Sequence, residues 1–356
     1  MHSRERVLTA INLAVPDKLP VDFSANKWVL ENLRSRFALD THKSILKYFN
    51  ADIVDLRDVE LPVYKGSVPF KRALDGGVTE NFWGWRTSVR QTPTGAEEMF
   101  CEFILQNAQT LEEVQKHIWP TVDWFDFSDF DKRLEKWSDF AIMATGASIW
   151  QHPSFLRGLD TLLMDVVLDN EIGIYIIDKF TDFYISYFDR MITASKGRID
   201  ILRIADDLGM QDRLLISPDI FSRIFAPRIK RIVDMAHSHG VKVMFHSCGA
   251  VYPLIDSVIA TGVDILDPIQ VTAEGMKPEK LKADFGGRIC FHGSIDTQFL
   301  LPQGSPLDVV ANVESMFKIL GKGGGFILCP SHILQTDVPL DNIEALYKTG
   351  AKCVYR

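Results

Sequence analysis

Residues 201–249 read ILRIADDLGMQDRLLISPDIFSRIFAPRIKRIVDMAHSHGVKVMFHSCG. Two continuous apolar runs, Ile201–Ala205 and Lys242–His246, bracket a segment with helical punctuation. Ser217 is a candidate N-cap and Pro218 suits a first helical turn, while Gly240 ends the helix just after His239. Unbroken apolar runs, as opposed to alternating ones, mark parallel strands covered by helices. The stretch therefore reads as strand, helix, strand, with polar residues following each strand.

The same pattern extends in both directions. Further runs lie at Leu19–Phe23, Asp52–Leu56, Phe140–Thr145, Asp264–Leu266, Arg288–His292 and Gly325–Cys329, making eight expected strands. Phe155, Leu156, Leu159, Leu162, Leu163, Val166 and Val167 recur at spacings of three and four and predict one apolar helix face. Pro306–Leu320 and Pro339–Thr349 predict two more helices. Strand and helix alternating eight times point to the α/β class and a single (β/α)8 TIM barrel spanning residues 1–356. Residues 62–106 break the alternation. Thr79–Val89 and Glu98–Leu105 read as antiparallel strands joined by a turn at Thr92-Pro93-Thr94-Gly95, an insertion after the second strand. Residues 119–137 read as a surface connection with a short helix.

Composition narrows the function. The 356 residues carry 39 Lys and Arg against 47 Asp and Glu, a net charge of −8. This balance argues against a nucleic-acid partner. No stretch approaches the ~18 apolar residues of a membrane span, and the first residues lack a signal peptide's apolar core. Five cysteines, at 101, 248, 290, 329 and 353, are too few and too scattered for a disulfide framework. A cytoplasmic protein with reduced thiols is expected.

In such a barrel, chemistry collects at the C-terminal ends of the strands. There the sequence offers Asp22, Asp55, Arg57, Asp206, Asp207, His246, Cys248, Asp267, Gln270, His292, Asp296, Cys329 and His332. A return to water explains Asp at strand ends but not a collection of His and Cys. His246 and Cys248 are two apart on extended backbone and so point to one side, where they can share an ion. Nitrogen plus sulfur favours zinc over magnesium or calcium. Cys329 and His332, from the last strand, are both candidates for a third ligand. The Asp206-Asp207 pair can bind metal, move a proton or orient a substrate, with loop capping as the structural alternative for either. His292 is a further catalytic candidate. His237 and His239, late in a helix, suit a structural role near its C-terminus.

The stretch from Ile201 to Ile343 resembles the uroporphyrinogen decarboxylase superfamily. The resemblance is carried by Asp206-Asp207-Leu208-Gly209 with Gln211, by Phe245-His246-Ser247-Cys248-Gly249, by His292-Gly293-Ser294-Ile295-Asp296, and by Pro330-Ser331-His332 with Pro339-Leu340-Asp341-Asn342-Ile343. Arg4-Glu5-Arg6-Val7-Leu8 and the segment from Pro16 to Asp22 add to it. The resemblance implies the barrel fold and catalytic roles among Asp206, Asp207, Gln211 and His292. In the decarboxylases proper, arginines follow the first strand and a tyrosine follows the third. Here Val21-Asp22-Phe23-Ser24-Ala25-Asn26 has no arginine, and residues 146–152 have no tyrosine. The match is better to the branch similar to methylcobamide–coenzyme M methyltransferases, which hold zinc through an H-x-C pair and a cysteine after the last strand. His246 and Cys248 match the pair, and His332 occupies the place of that cysteine. This branch implies zinc, a corrinoid delivered by a partner protein, and a small thiol or methoxy substrate. A decarboxylase and a non-catalytic corrinoid- or tetrapyrrole-binding barrel are the competing readings.

Overall fold

Seven of the eight expected runs are strands of one curled parallel sheet. In the computed structural model, which describes residues 1–92 and 95–355, its order follows the chain: Ile53–Asp55, Ala141–Ala147, Ile201–Ala205, Lys242–His246, Ile265–Ile269, Cys290–Ile295 and Phe326–Pro330. Leu19–Phe23, expected as the first strand, is not one. It makes only an isolated parallel bridge, Val21 to Leu328. Pro20 has no N–H to give, and the N–H of Val21 is taken by the Asp52 carboxylate at 3.1 Å, so no ladder propagates. The segment is still tied to both edges. Leu328 donates to the Pro20 carbonyl, Asp22 donates to the Leu328 carbonyl, and Asp52 donates to the Val21 carbonyl. The eight-stranded barrel is therefore corrected to a curled seven-stranded sheet with this bridged segment at its edges.

Period-two alternation positions the site. One inward layer is apolar: Ile53, Ala141, Ile201, Met244, Ile265, Cys290 and Ile327 pack on Val7, Ala10 and Ile11 of the helix Ser3–Ile11. Two residues further along the same strands come Asp55, Met143, Arg203, His246, Asp267, His292 and Cys329, and all of these line one cavity. The apolar layer fills the lower half of the sheet's interior, and the polar layer forms the floor above it.

Within the expected insertion the antiparallel sheet has four strands, not two. Lys71–Ala73, Val78–Asn81, Arg86–Thr92 and Gly95–Glu102 form a four-stranded antiparallel sheet. The single strand expected over Thr79–Val89 is two strands paired with each other. Gly84 has φ +85°, and the Asn81 side chain accepts from the N–H groups of Trp83 and Trp85, which turns the chain. The turn expected at Thr92–Gly95 includes Pro93 and Thr94, which lie outside the described residues. Rings attach this sheet to the main body: Trp83 stacks on Phe180 at 4.3 Å, and Phe100 stacks on Phe155. Each such pair contributes about 0.5–1.5 kcal/mol beyond its buried area.

The helix expected across Phe155–Val167 is two helices, Gln151–Arg157 and Leu159–Val167, that meet at Gly158 with φ +81°. Leu156, Leu162 and Val166 are buried, but Leu159 and Val167 face solvent. The helix after Ser217 passes through a π-helical turn, Phe221–Phe225, where Pro227 has no N–H for the regular ladder. Among the described residues no helix is long and apolar enough to cross a membrane.

Candidate functional site

The cavity at the C-terminal end of the sheet has a volume of about 270 Å³. Its centre is Asp267, buried at 3% exposure. Asp267 Oδ2 accepts from Arg203 Nε at 3.0 Å and Nη2 at 2.8 Å. The same oxygen lies 2.6 Å from His246 Nδ1, while Oδ1 lies 2.6 Å from His292 Nδ1. One carboxylate thus orients two imidazoles and one guanidinium. Burial alone would raise the Asp267 pKa, but Arg203, His246 and His292 together hold it well below the usual carboxylate range.

The two histidines diverge. Burial lowers the His246 pKa, and the adjacent Arg203 charge lowers it further. His246 is therefore neutral at pH 7, and its Nδ1 lies 2.6 Å from both Asp267 Oδ2 and Arg203 Nη2, so Nε2 is the edge left to the cavity. Burial also opposes charge on His292, but the Asp267 charge, a contribution from Cys329 and hydrogen bonds to Asp22 and Asp267 raise its pKa well above the usual histidine value. His292 Nε2 lies 3.1 Å from Asp22 Oδ2.

Around the free edge of His246 the expected pair comes together. Cys248 Sγ is 3.5 Å from His246 Nε2, and Asp207 Oδ1 is 3.6 Å from the same nitrogen. Ligand atoms of Asp207, His246 and Cys248 all lie within 4.8 Å of one another. Burial, and then the carboxylates of Asp207 and Asp267, push the Cys248 thiol above its ordinary range. The chemistry of the set fits a zinc-type ion: one imidazole whose outer nitrogen is anchored by a carboxylate, one thiol and one carboxylate. Backbone packing aims the thiol. Gly249 has φ +91°, and a Cβ there would stand 2.5 Å from Gly209 C and Met210 O. A Cβ on Gly209 would stand 2.6 Å from the Cys248 carbonyl. These glycines let the two loops touch, joined by the Ala250 N–H to the Met210 carbonyl at 2.7 Å.

The remaining expected residues are placed as follows. Asp206 does not face the cavity. Its buried carboxylate accepts from Ser148 Oγ and from the backbone N–H groups of Ile149, Trp150 and Gln151, capping that loop. Asp207 does face it, accepting from Gln151 Nε2 and from the Cys248 N–H. Cys329 is buried beside Asp22 and His292, a second group whose ligand atoms lie within 4.8 Å of one another. His332 lines the cavity mouth, exposed, and stands outside both groups. Gln211 is not among the residues that line the cavity; it donates to the Thr272 carbonyl and accepts from Gln270. His237 and His239 pair with Asp264 and Asp189, away from the cavity.

Arg203 was missed from sequence. Its signal was a lone cation inside the run Ile201-Leu202-Arg203-Ile204, where only an inward-facing partner makes burial tolerable.

Residues 133–352 match the family model described as Uroporphyrinogen decarboxylase (URO-D). The chain belongs to the uroporphyrinogen decarboxylase family. The match spans the strands that carry every residue of the Asp207–His246–Cys248 group. Among solved structures, this family member is similar to a methyltransferase from Methanosarcina mazei, at 19% identity and TM-score 0.68, with 99% of each chain covered. That likeness is one of fold. A sugar phosphate isomerase/epimerase from Parabacteroides distasonis gives TM-score 0.38 at 9% identity, covering 94% of this chain and 95% of its own. No curated protein matches the chain.

Proposed function

We propose that this chain is a cytoplasmic, single-domain, zinc-dependent methyltransferase. On this reading it moves a methyl group between a corrinoid, carried by a partner protein, and a small thiol or methoxy compound. The observation that carries the reading is the Asp207–His246–Cys248 group, with His246 oriented by Asp267. Asp207 is our choice for the third ligand, ahead of Cys329 and His332, because of the three it alone shares the group with His246 and Cys248, 3.6 Å from His246 Nε2. A fourth position is then left for substrate, as catalytic zinc requires. Bound zinc would supply Lewis acidity, holding a substrate thiol as thiolate or polarising a methoxy oxygen.

The protein's own residues set up that chemistry. Burial and Arg203 keep His246 neutral, and Asp267 at Nδ1 fixes its ring plane with Nε2 turned to Asp207 and Cys248. Gln151 and the Cys248 N–H hold the Asp207 carboxylate in place. Arg57 and Arg203 line the cavity alongside Asp22, Asp55 and Asp58, so a substrate there meets paired charges of both signs. His292 acts, on this reading, as a floor group, and neither it nor Gln211 is a ligand of the ion at His246 and Cys248.

The test is methyl transfer from free methylcobalamin to coenzyme M and simple thiols, with metal analysis of protein purified without added zinc. We expect activity that is lost in His246→Ala and Cys248→Ala together with bound zinc. Full zinc retention in both variants would overturn the reading. Family membership also supports a decarboxylase. Formation of coproporphyrinogen from uroporphyrinogen at enzymatic rates would favour that alternative.

A further inference from the structure

We propose that Asp22, His292 and Cys329 form a second metal site in the same cavity, for a divalent ion of the zinc class. The inference goes beyond the methyltransferase reading and does not depend on it.

Four observations carry it. First, ligand atoms of the three residues lie within 4.8 Å of one another, as in the Asp207–His246–Cys248 group. Second, the two groups have the same composition: one carboxylate, one imidazole and one thiol. Third, both imidazoles are tied through Nδ1 to the same carboxylate, His246 to Asp267 Oδ2 and His292 to Oδ1, each at 2.6 Å. A histidine held through Nδ1 has only Nε2 to offer a metal, and that of His292 is turned to Asp22 at 3.1 Å. Fourth, Asp22, His292 and Cys329 are 3–5% exposed yet all line the open cavity, which gives an ion a path to them. The orientation of Asp22 is fixed as well, because its Oδ1 accepts the Phe23 N–H at 2.8 Å.

The donor set selects the ion. A thiol and an imidazole beside a single carboxylate suit zinc and its neighbours and exclude magnesium and calcium, which need oxygen shells. The exchange balances. The ion enters with two positive charges, and two protons leave to solvent: one from between Asp22 and His292 Nε2, and one from the Cys329 thiol. The buried charge is unchanged, so no new desolvation cost arises. A buried His–Asp pair bridged by a proton is the competing account. It explains Asp22 and His292 but gives Cys329 no part.

The test uses Co2+ as the probe, titrated into the full-length protein after chelator treatment. Thiolate-to-cobalt charge-transfer absorption reports each cysteine-bound ion. We expect two equivalents in the wild-type protein. Cys329→Ser should remove one equivalent and one thiolate contribution, leaving the Cys248-dependent ion, and Cys248→Ser should do the reverse. Asp22→Asn, which preserves the side-chain shape, should weaken the Cys329-dependent ion at least tenfold and provides the readout should Cys329→Ser not fold. A wild-type protein that binds no Cys329-dependent ion overturns the proposal. So does a Cys329→Ser protein that binds as many ions as wild type, or one in which the loss of Cys329 and the loss of Cys248 abolish the same ion. Failure of the methyltransferase reading would show separately, as an absent Cys248-dependent ion.

Discussion

Replacing Asp267 by Asn tests the organising claim about the cavity, that one carboxylate orients both histidines. The perturbation leaves size and shape nearly unchanged but removes the charge that faces Arg203, His246 and His292. Breaking one side of a buried ion pair costs about 3–5 kcal/mol. Asp55 and Asp22 still exert some attraction on Arg203, so the lower end, about 3 kcal/mol, is expected here. Metal affinity is affected separately. Loss of a carboxylate that anchors a ligating histidine lowers affinity about 10–100-fold, equivalent to about 1.4–2.8 kcal/mol. Urea unfolding of chelator-treated protein measures the first quantity. Competition with a chromophoric zinc chelator measures the second. A folded Asp267→Asn protein whose zinc affinity stays within twofold of wild type would refute the orienting role. Unchanged unfolding stability would refute the claim that Arg203 depends on this partner.

Three further outcomes are expected. Gly249→Ala places a Cβ 2.5 Å from backbone atoms of residues 209 and 210, in a conformation with φ +91°; it should cost about 1–3 kcal/mol of stability and lower zinc binding by displacing Cys248, and a variant with wild-type zinc content would contradict this. His152, whose Nδ1 meets the Tyr184 hydroxyl, has its pKa pushed down to about 3 by burial. The unfolded chain takes up this proton at about pH 6.5, so stability is complete above that value and falls as pH drops towards 3; partial exposure screens the full effect to about 2–3 kcal/mol, and His152→Gln should flatten the difference in an acid unfolding series. Zinc affinity should rise about tenfold per pH unit around neutrality as the Cys248 thiol gives up its proton to the ion, a slope that isothermal titration at pH 6, 7 and 8 would confirm or refute.

Much of this arrangement was readable from the chain. The parallel strands announced themselves through unbroken apolar runs, because a strand covered on both faces has no polar side to alternate. Ile201–Ala205 and Lys242–His246 are strands with those bounds. Leu19–Phe23 carries the same apolar signal but not the ladder. Its pairing depends on which N–H groups are free, and Pro20 together with the distant Asp52 decides that. Helix breaks behaved in the same way: Gly158 interrupts an apolar face that spacing alone would continue. The site was legible where two ligands lie close in sequence, as His246 and Cys248 do. It was not legible where the partner comes from another strand. Nothing near Cys329 in sequence says that Asp22, more than 300 residues earlier, lies beside it. That contact exists because the Val21–Leu328 bridge sets the register of the two segments.

The period-two rule connects these cases and explains why the floor is so highly charged. Each strand offers the interior one residue below and one residue two further along. The lower position is fixed as apolar by packing against the helix Ser3–Ile11. The upper position has no helix over it and opens on the cavity, so there polar groups can be solvated or paired with one another. Met244 and His246 illustrate the change within three residues of one strand, and Ile265 and Asp267 repeat it on the next, in register with them. His246 therefore meets Asp267 because Met244 meets Ile265. A change that slipped this register by one residue would turn His246 and its neighbours outward and bring Phe245 into the cavity, removing the metal ligands and the ion pairs together.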